Sequence, residues 1–205
     1  MVTDAAAIAS AAVFRRARRL EYFTLAYNGL EALVSVWAGV AAGSASLTGF
    51  GLDSVIEAAS GGALLWRLRV GARASAERAA LRLVAWCFAA LALYIGYESA
   101  AALIARAQPQ RSLAGIAVAA ASVVVMPLLA RAKRRASAEA GSRALRSDSR
   151  QADFCAYLSA ILLGGLALNA WLGWWWADPV AGLAMTPIIA KEAWDGLRGK
   201  NCGCG

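Results

Sequence analysis

The amino-acid sequence predicts an all-α membrane protein of six transmembrane helices with both termini in the cytoplasm. Three observations lead to this prediction: the apolar composition, the number of apolar segments and the uneven distribution of the basic residues. The 205-residue chain is 60% hydrophobic and 17% charged, with a mean hydropathy of +0.53, and is more apolar than one soluble core accommodates. Because about 20 apolar residues cross the hydrocarbon layer, the chain has the length for about six crossings.

Six apolar segments follow one another along the chain, joined by short connections. Pro127 and Pro187 fall inside the fourth and sixth segments and predict kinks rather than breaks, because neighbouring helices can satisfy the freed carbonyl groups. Residues 131–150 mix alanine, serine and charged residues, which is typical of a helical extension or of a solvated loop. The predicted spans are residues 20–42, 46–68, 79–104, 112–131, 152–174 and 179–195.

The net charge of +8 is compatible with nucleic-acid binding, but the positions of the basic residues indicate membrane topology instead. Of the 21 lysines and arginines, 19 precede the first span, surround the second and fourth connections or close the chain from Lys191 onwards. The other two, Arg106 and Arg111, lie in the third connection. This positive-inside bias is typical of an even number of spans with cytoplasmic termini. It predicts the lipid bilayer as a partner and no nucleic acid.

Tryptophan and cysteine positions agree with a membrane setting. Trp171 and the run Trp174–Trp176 cluster where the fifth helix is expected to reach the outer interface, a depth that suits amphipathic rings. The four cysteines fall in apolar segments or in the C-terminal tail, where no disulfide framework is expected, and so indicate a reducing or membrane environment. They are Cys87, Cys155, Cys202 and Cys204.

Among the acidic residues of the apolar segments, four stand out as candidates: Glu31, Asp53, Glu57 and Glu98. An ionised carboxylate near the membrane centre costs on the order of 2.5 to 3.5 kcal/mol, so each needs a compensating interaction. Asp53 and Glu57 are four residues apart, so on a helix their Cβ atoms would lie about 5 to 6 Å apart on one face. Two such charges repel, so either one is protonated or a cation lies between them. The alternative is that each carboxylate bonds separately to a serine or a backbone carbonyl of a neighbouring helix.

A second polar group lies at the start of the fifth segment. Gln151 and Cys155 are again four residues apart, and Asp148 lies one turn before them. Two helices that each present two ligands one turn apart supply four donors, the coordination number that zinc prefers. A thiolate is a soft ligand and favours Zn²⁺ or Cd²⁺ over Mg²⁺, Ca²⁺ or Mn²⁺. Without the carboxylate pair this pattern would say little, because a buried cysteine usually acts as a small hydrophobic residue.

Three sequence stretches resemble the cation diffusion facilitator (cation efflux) family. They are AGSASLTGFGLDSVIE at residues 42–57, SDSRQADFCAYLS at 147–159 and Ala-Asp-Pro at 177–179. The resemblance covers most of the chain and implies the six-helix order of that family. It also implies a metal site near the midplane, where an acidic or histidine residue and an aspartate four later on the second helix join a similarly spaced pair on the fifth, often His and Asp. The corresponding positions in this chain are Asp53, Glu57, Gln151 and Cys155.

The chain departs from the family pattern at three of these positions. Glu57 stands where aspartate is usual, which keeps the charge and lengthens the reach. Gln151 replaces the common histidine and Cys155 the common aspartate, so the expected site loses an imidazole and gains a sulfur. This exchange biases the expected ligand set towards softer metals.

The resemblance implies a divalent metal cation efflux transporter, for Zn²⁺ or Cd²⁺, that works by proton/metal antiport with alternating access. Carboxylates and thiols must lose protons before they bind a cation well. Because the chain has no histidine, the exchanged protons are expected to come from Asp53, Glu57, Cys155 or a nearby acid such as Glu31 or Asp148. No cofactor is expected beyond the transported metal ion and the protons.

The six spans are expected to form one transport domain, residues 20–198, between a cytoplasmic segment at 1–19 and a cytoplasmic tail at 199–205. We expect a short form without the cytoplasmic C-terminal domain of many family members, in the bacterial inner membrane. Cys202 and Cys204 in the tail either collect thiophilic metal before transport or belong to a disordered segment.

A homodimer through the transmembrane helices is the expected assembly, since the resemblance implies a dimer and the short form has no soluble domain to hold it. Ser35, Gly39 and Gly43 repeat at four-residue spacing on the first helix. Such a small-residue face allows close approach of another helix, either within the chain or between two chains.

Two further acids have more than one reading. Glu31, with Asn28 one turn before it, lies on the first helix and either supplies a direct ligand or only faces the same cavity. Asp148 lies near the expected cytoplasmic entrance, where it attracts cations, binds them or forms a salt bridge to a nearby arginine.

Two other functions are compatible with the same helices. An organic-cation exporter would need a roomy cavity lined by aromatic side chains and would not depend on Cys155. A membrane scaffold without transport would leave metal resistance unchanged in Asp53→Ala. An enzyme is not expected, since the sequence shows no nucleophile with its base, no phosphate loop and no cofactor fingerprint.

Overall fold

All regular secondary structure is α-helical in the part of the chain that the computed structural model describes, residues 2–70, 74–141 and 143–198. Side chains are described at residues 15–63, 65, 82–141, 146 and 148–198. The six predicted helices are present in the predicted order. They are α1 (Val2–Ala42), α2 (Ala45–Val70), α3 (Ala74–Ile104), α4 (Leu113–Ala140), α5 (Arg143–Leu172) and α6 (Ala177–Leu197).

The helices pack mainly in three pairs, α1 with α2, α3 with α6 and α4 with α5. Helix α1 also packs on α4, and α5 contacts α2 and α6, so that α1, α2, α4 and α5 enclose a common interior. Helix α3 joins this bundle through α6 and α2. The largest apolar side chains that are fully buried in the interior are Leu47, Phe50, Ile95, Met126, Leu158, Leu162, Met185 and Ile189.

Large apolar and aromatic side chains cover much of the outer surface of the bundle. Leu33 is 71% exposed, Leu93 is 76% exposed and Ile104 is 86% exposed. Soluble proteins rarely expose apolar surface on this scale, so lipid is the solvent that this surface requires. Four described segments have the length and hydropathy to cross a membrane: Arg15–Ala42, Arg82–Ile104, Leu113–Ala140 and Asp148–Leu172. Crossing by all six helices stays a prediction.

The two ends of the bundle differ in composition. We call the end that carries Arg15–Arg19 and Arg131–Arg135 the basic end, and the opposite one, which carries Trp171–Trp176, the tryptophan end. At the tryptophan end the backbone N–H of Gln110 donates to the carbonyl of Ala42 at 2.8 Å, so the α3–α4 connection lies beside the end of α1. The rings of Trp174 and Trp176 stack there with centroids 5.0 Å apart.

Several helices are longer than the predicted spans. Helix α1 begins at Val2 rather than near residue 20, so it runs through the expected N-terminal segment. Helix α4 continues to Ala140 and α5 begins at Arg143, so residues 131–140 and 143–150 belong to helical extensions and not to a solvated loop. Gly141 ends α4 in a left-handed conformation with φ +60°, which glycine adopts without steric cost. Helices α4 and α6 both continue past their internal prolines, as predicted.

Small residues let α1 and α2 approach closely. A Cβ added to Gly39 would lie 2.5 Å from the backbone nitrogen of Thr48 on α2. One added to Gly51 would lie 2.7 Å from the backbone nitrogen of Val36 and 3.0 Å from the Cβ of Ser35. Ser35 and Gly39 of the predicted small-residue face are therefore used inside the chain, whereas Gly43 lies beyond the end of α1 and a Cβ added there would meet nothing within 4 Å.

Candidate metal site

Asp53 and Glu57 lie one turn apart on α2 and are buried, with 2% and 5% of their surfaces exposed. Among the described residues, Oδ1 of Asp53 and Oε2 of Glu57 have no hydrogen-bond partner. The two carboxylates repel each other electrostatically, and the charge of Glu31 acts on both of them. Buried polar atoms without a partner are rare in folded proteins, so these two oxygens require an explanation.

Cys155 on α5 faces the same pair. Its thiol is free and its side chain is 1% exposed. The charge acting most strongly on the thiol is that of Glu57. Glu31 and Asp53 act on the thiol more weakly. Three of the four predicted ligands are therefore neighbours in the interior, on α2 and α5.

Gln151, the fourth predicted ligand, lies one turn from Cys155 towards the basic end and is half-buried. Its Oε1 accepts a hydrogen bond from Ser60 Oγ at 3.3 Å. Ser60 lies on α2 just beyond Glu57, so this bond joins the two helices that carry the candidate ligands. In the described part of the chain, no three Cys, Asp or Glu side chains stand close enough together to hold a metal ion as they are. Closure on an ion would therefore need side-chain movement.

Glu31 on α1 is held by serines of two other helices. Its Oε2 accepts a hydrogen bond from Ser54 Oγ at 2.7 Å, and its Oε1 accepts one from Ser122 Oγ. The Ser122 hydroxyl also contacts the hydroxyl of Tyr27 at 2.8 Å. Because both carboxyl oxygens are engaged, Glu31 ties α1 to α2 and α4 and places a third carboxyl group beside Asp53.

Asp148 belongs to a second buried cluster, together with two residues that the sequence analysis did not single out. Its Oδ2 lies 2.6 Å from Nζ of Lys133 on α4, and that nitrogen lies 3.2 Å from Oε1 of Glu21 on α1. The partner of Asp148 is thus a lysine and not the nearby arginine of the salt-bridge alternative. Lys133 and Glu21 are 2% and 0% exposed. We call Glu21, Lys133 and Asp148 the charge triad.

The charge triad lies between the candidate metal site and the basic end. Asp148 precedes Cys155 by seven residues, which is about 10 Å along a helix. One pattern in the sequence could have revealed Glu21, because it shares a helical face with Asn28, Glu31 and Ser35, all buried on α1. No comparable pattern marks Lys133. It is one of four basic residues in positions 131–135, and such a cluster is explained by membrane topology alone.

Asp178 lies at the start of α6, at the tryptophan end of the bundle. Its Oδ1 accepts hydrogen bonds from Ser44 Oγ, at 2.7 Å, and from Ser46 Oγ. Ser44 also accepts a bond from the backbone N–H of Leu47 at 3.1 Å and so caps α2. The Ala-Asp-Pro stretch at 177–179 therefore joins the start of α6 to the start of α2.

The remaining candidates lie apart from this interior. Glu98 on α3 is partly buried, and its charge acts on Tyr94 of the same helix. Cys87 on α3 is exposed on the outer surface. Cys202 and Cys204 lie outside the described residues.

Long apolar helices around buried carboxyl groups are typical of a membrane protein that binds a cation. Comparison with protein families agrees with this class: the profile of the cation efflux transmembrane domain matches residues 22–199. The chain belongs to the cation efflux family, which confirms the resemblance seen in the sequence, and it is a membrane-embedded cation transporter of that family. A search of curated proteins finds no match.

Proposed function

We propose that the protein exports a divalent metal ion, Zn²⁺ or Cd²⁺, in exchange for protons. The observation that carries this proposal is the buried group of Asp53, Glu57 and Cys155, in which one oxygen of each carboxylate has no partner among the described residues. A dication between the two carboxylates would remove their repulsion and satisfy both oxygens. Because the chain belongs to a family of cation transporters, this buried group supports a metal ion as the transported substrate.

The proposed ligand set is Asp53, Glu57, Cys155 and Gln151. Two carboxylates and a thiolate would more than offset the charge of a dication, and an amide oxygen adds a neutral fourth donor. Four donors that include a sulfur suit tetrahedral Zn²⁺ or Cd²⁺ better than the octahedral oxygen shells of Mg²⁺. The oxygen of Gln151 already accepts a bond from Ser60. It therefore binds the ion either in addition to that bond or in place of it.

Proton exchange follows from the chemistry of these ligands. Carboxylic acids and thiols release protons when they bind a metal ion. Reprotonation from the outside would then release the ion there, so that metal leaves as protons enter. In this proposal Glu31 does not bind the ion and instead adds negative charge beside the site.

Alternating access would require both ends of the bundle to open in turn. We propose that the basic end faces the cytoplasm, as the positive-inside bias predicts, in the bacterial inner membrane. The charge triad then stands on the cytoplasmic side of the site, and the bonds of Asp178 to Ser44 and Ser46 stand on the outer side. We propose a homodimer through the membrane helices, which cross-linking in native membranes would test.

The decisive experiment measures metal flux into proteoliposomes that hold a metal-sensitive dye, with a pH gradient imposed in either direction. The parent should transport Zn²⁺ and Cd²⁺ faster when the gradient drives protons the opposite way. Asp53→Asn and Glu57→Gln should abolish transport. Glu98→Gln is the matched control, since it removes a carboxylate of the same membrane region that lies apart from the site. Transport by Asp53→Asn and Glu57→Gln at the parental rate would refute the proposal.

A further inference from the structure

The register of α1 against α2 places Asn28 at the level of Glu57. The two helices run in opposite directions, and two contacts between them lie on either side of this level. One is the hydrogen bond from Ser54 to Glu31 at 2.7 Å, and the other joins Gly61 and Leu25, whose Cδ2 would lie 3.6 Å from a Cβ added to the glycine. Asn28 is midway between the two α1 residues, and Glu57 lies between the two α2 residues.

Asn28 is buried without a partner for its side chain. Its exposed fraction is 0%, and neither Oδ1 nor Nδ2 has a hydrogen-bond partner among the described residues. An amide side chain can make up to four hydrogen bonds, and native proteins satisfy nearly all buried groups of this kind. Asn28 therefore resembles the two carboxylates of α2: it has buried polar atoms without a hydrogen-bond partner among the described residues, and it lies at the same level of the bundle.

We propose that Oδ1 of Asn28 is a further ligand of the transported metal ion, supplied by α1. This inference rests on the proposed function of Asp53, Glu57 and Cys155. An amide oxygen coordinates a dication without adding charge, so Asn28 supplies the fourth donor beside Asp53, Glu57 and Cys155 when Gln151 keeps its bond from Ser60. Gln151 offers the same chemistry, but its oxygen already accepts a bond from Ser60, whereas the oxygen of Asn28 is available.

One consequence is that the ion joins three helices instead of two. Asp53 and Glu57 lie on α2 and Cys155 on α5, so a bond to Asn28 adds α1 directly to the site. Loading of the ion then changes the contact between α1 and α2, and the same helix α1 contacts the charge triad through Glu21.

The test compares Zn²⁺ and Cd²⁺ binding to the full chain in detergent by competition with a chromophoric chelator. Asn28→Leu keeps the side-chain size and removes the oxygen, and it should weaken Zn²⁺ binding by about tenfold or more. Asn28→Asp keeps an oxygen donor and should retain binding. Thr24→Val is the matched control on the same helix, because the Thr24 hydroxyl is buried but already bonds to the carbonyl of Leu20 at 2.9 Å.

Thermal unfolding separates a ligand from a residue with a purely structural role. In the absence of metal, Asn28→Leu should unfold at the parental temperature or above it, because it removes an unsatisfied amide. On addition of Zn²⁺, the parent and Thr24→Val should be stabilised while Asn28→Leu gains much less. If Asn28→Leu does not fold, Asn28→Ala is measured in the same way.

The outcomes also separate this inference from the proposed site. Loss of Zn²⁺ binding in Asp53→Asn, with parental binding in both Asn28→Leu and Asn28→Ala, would overturn the role of Asn28 and leave the site intact. Parental binding in Asp53→Asn and Glu57→Gln would overturn the site itself, whatever the Asn28 variants do.

Discussion

Lys133 on α4 places its ammonium 2.6 Å from the carboxylate of Asp148 on α5 and 3.2 Å from that of Glu21 on α1, in an interior where the lysine is 2% exposed. Two carboxylates thus share one cation, and three helices depend on it. Such a cluster is weak support for stability as a whole, but removal of one member leaves charges buried without compensation.

Lys133→Met should therefore destabilise the protein severely. The variant keeps the length of the side chain and leaves the carboxylates of Glu21 and Asp148 without a counter-charge, at a cost of about 3 to 5 kcal/mol. Thermal unfolding in detergent would measure the effect. Arg134→Met is the control, since the pair of Arg134 with Asp153 is 46% and 35% exposed and its loss should cost about 1 kcal/mol or less. Equal melting temperatures of the two variants would contradict the importance of the triad.

Glu31→Gln should impair metal binding less than Asp53→Asn does. Both oxygens of Glu31 accept hydrogen bonds from serines, and an amide oxygen can keep one of these bonds, so the substitution mainly removes a negative charge beside the site. Asp53 instead has an oxygen without a partner in the described structure, as a ligand would. Zn²⁺ titration of both variants would measure the difference. Equal losses of affinity would indicate that Glu31 is itself a ligand.

Much of the fold could be predicted from the sequence because it depends on the pattern of neighbouring residues within each helix. A run of apolar residues specifies a helix in lipid without reference to the other helices, and a spacing of four residues places Asp53 and Glu57 on one face in any helix. The length of the helices was harder to predict because it depends on packing outside the apolar core. Helix α4 continues to Ala140 and α1 starts at Val2, beyond the limits that hydropathy alone sets.

The parts of the site that the sequence did not predict depend on contacts between helices. Lys133 follows Ser122 by eleven residues, or three turns, and so lies on the face of α4 that contacts α1. In the sequence it cannot be distinguished from the exposed Arg134 and Arg135 beside it. In the sequence Asn28 stands out only as a neighbour of Glu31, because the absence of partners for its amide becomes visible only when α1 and α2 are placed in register.

Cys155→Ser should shift selectivity between metals. The thiolate is the soft ligand of the proposed set, so its loss should reduce Cd²⁺ affinity by about tenfold more than Zn²⁺ affinity. Competition titrations of Zn²⁺ and Cd²⁺ on the full chain in detergent would measure the ratio. Cys87→Ser is the control, since Cys87 is exposed on the outer surface while Cys155 is buried. An unchanged ratio in Cys155→Ser would remove sulfur from the ligand set and leave oxygen ligands only.

Gly39→Ala should separate α1 from α2 and thereby disturb the site that both helices supply. The new methyl group would lie 2.5 Å from the backbone nitrogen of Thr48, and backbone cannot move aside as a flexible side chain can. Overpacking of this kind costs about 1 to 3 kcal/mol. Gly29→Ala is a matched control on the same helix, because a Cβ at Gly29 meets nothing within 4 Å and a gain of up to about 1 kcal/mol in helix propensity is expected.

The unfolding temperature and the Zn²⁺ flux should both fall in Gly39→Ala and stay at the parental values in Gly29→Ala. Parental behaviour of both variants would show that α1 and α2 can separate without cost to the site, against the close register from which the role of Asn28 is inferred.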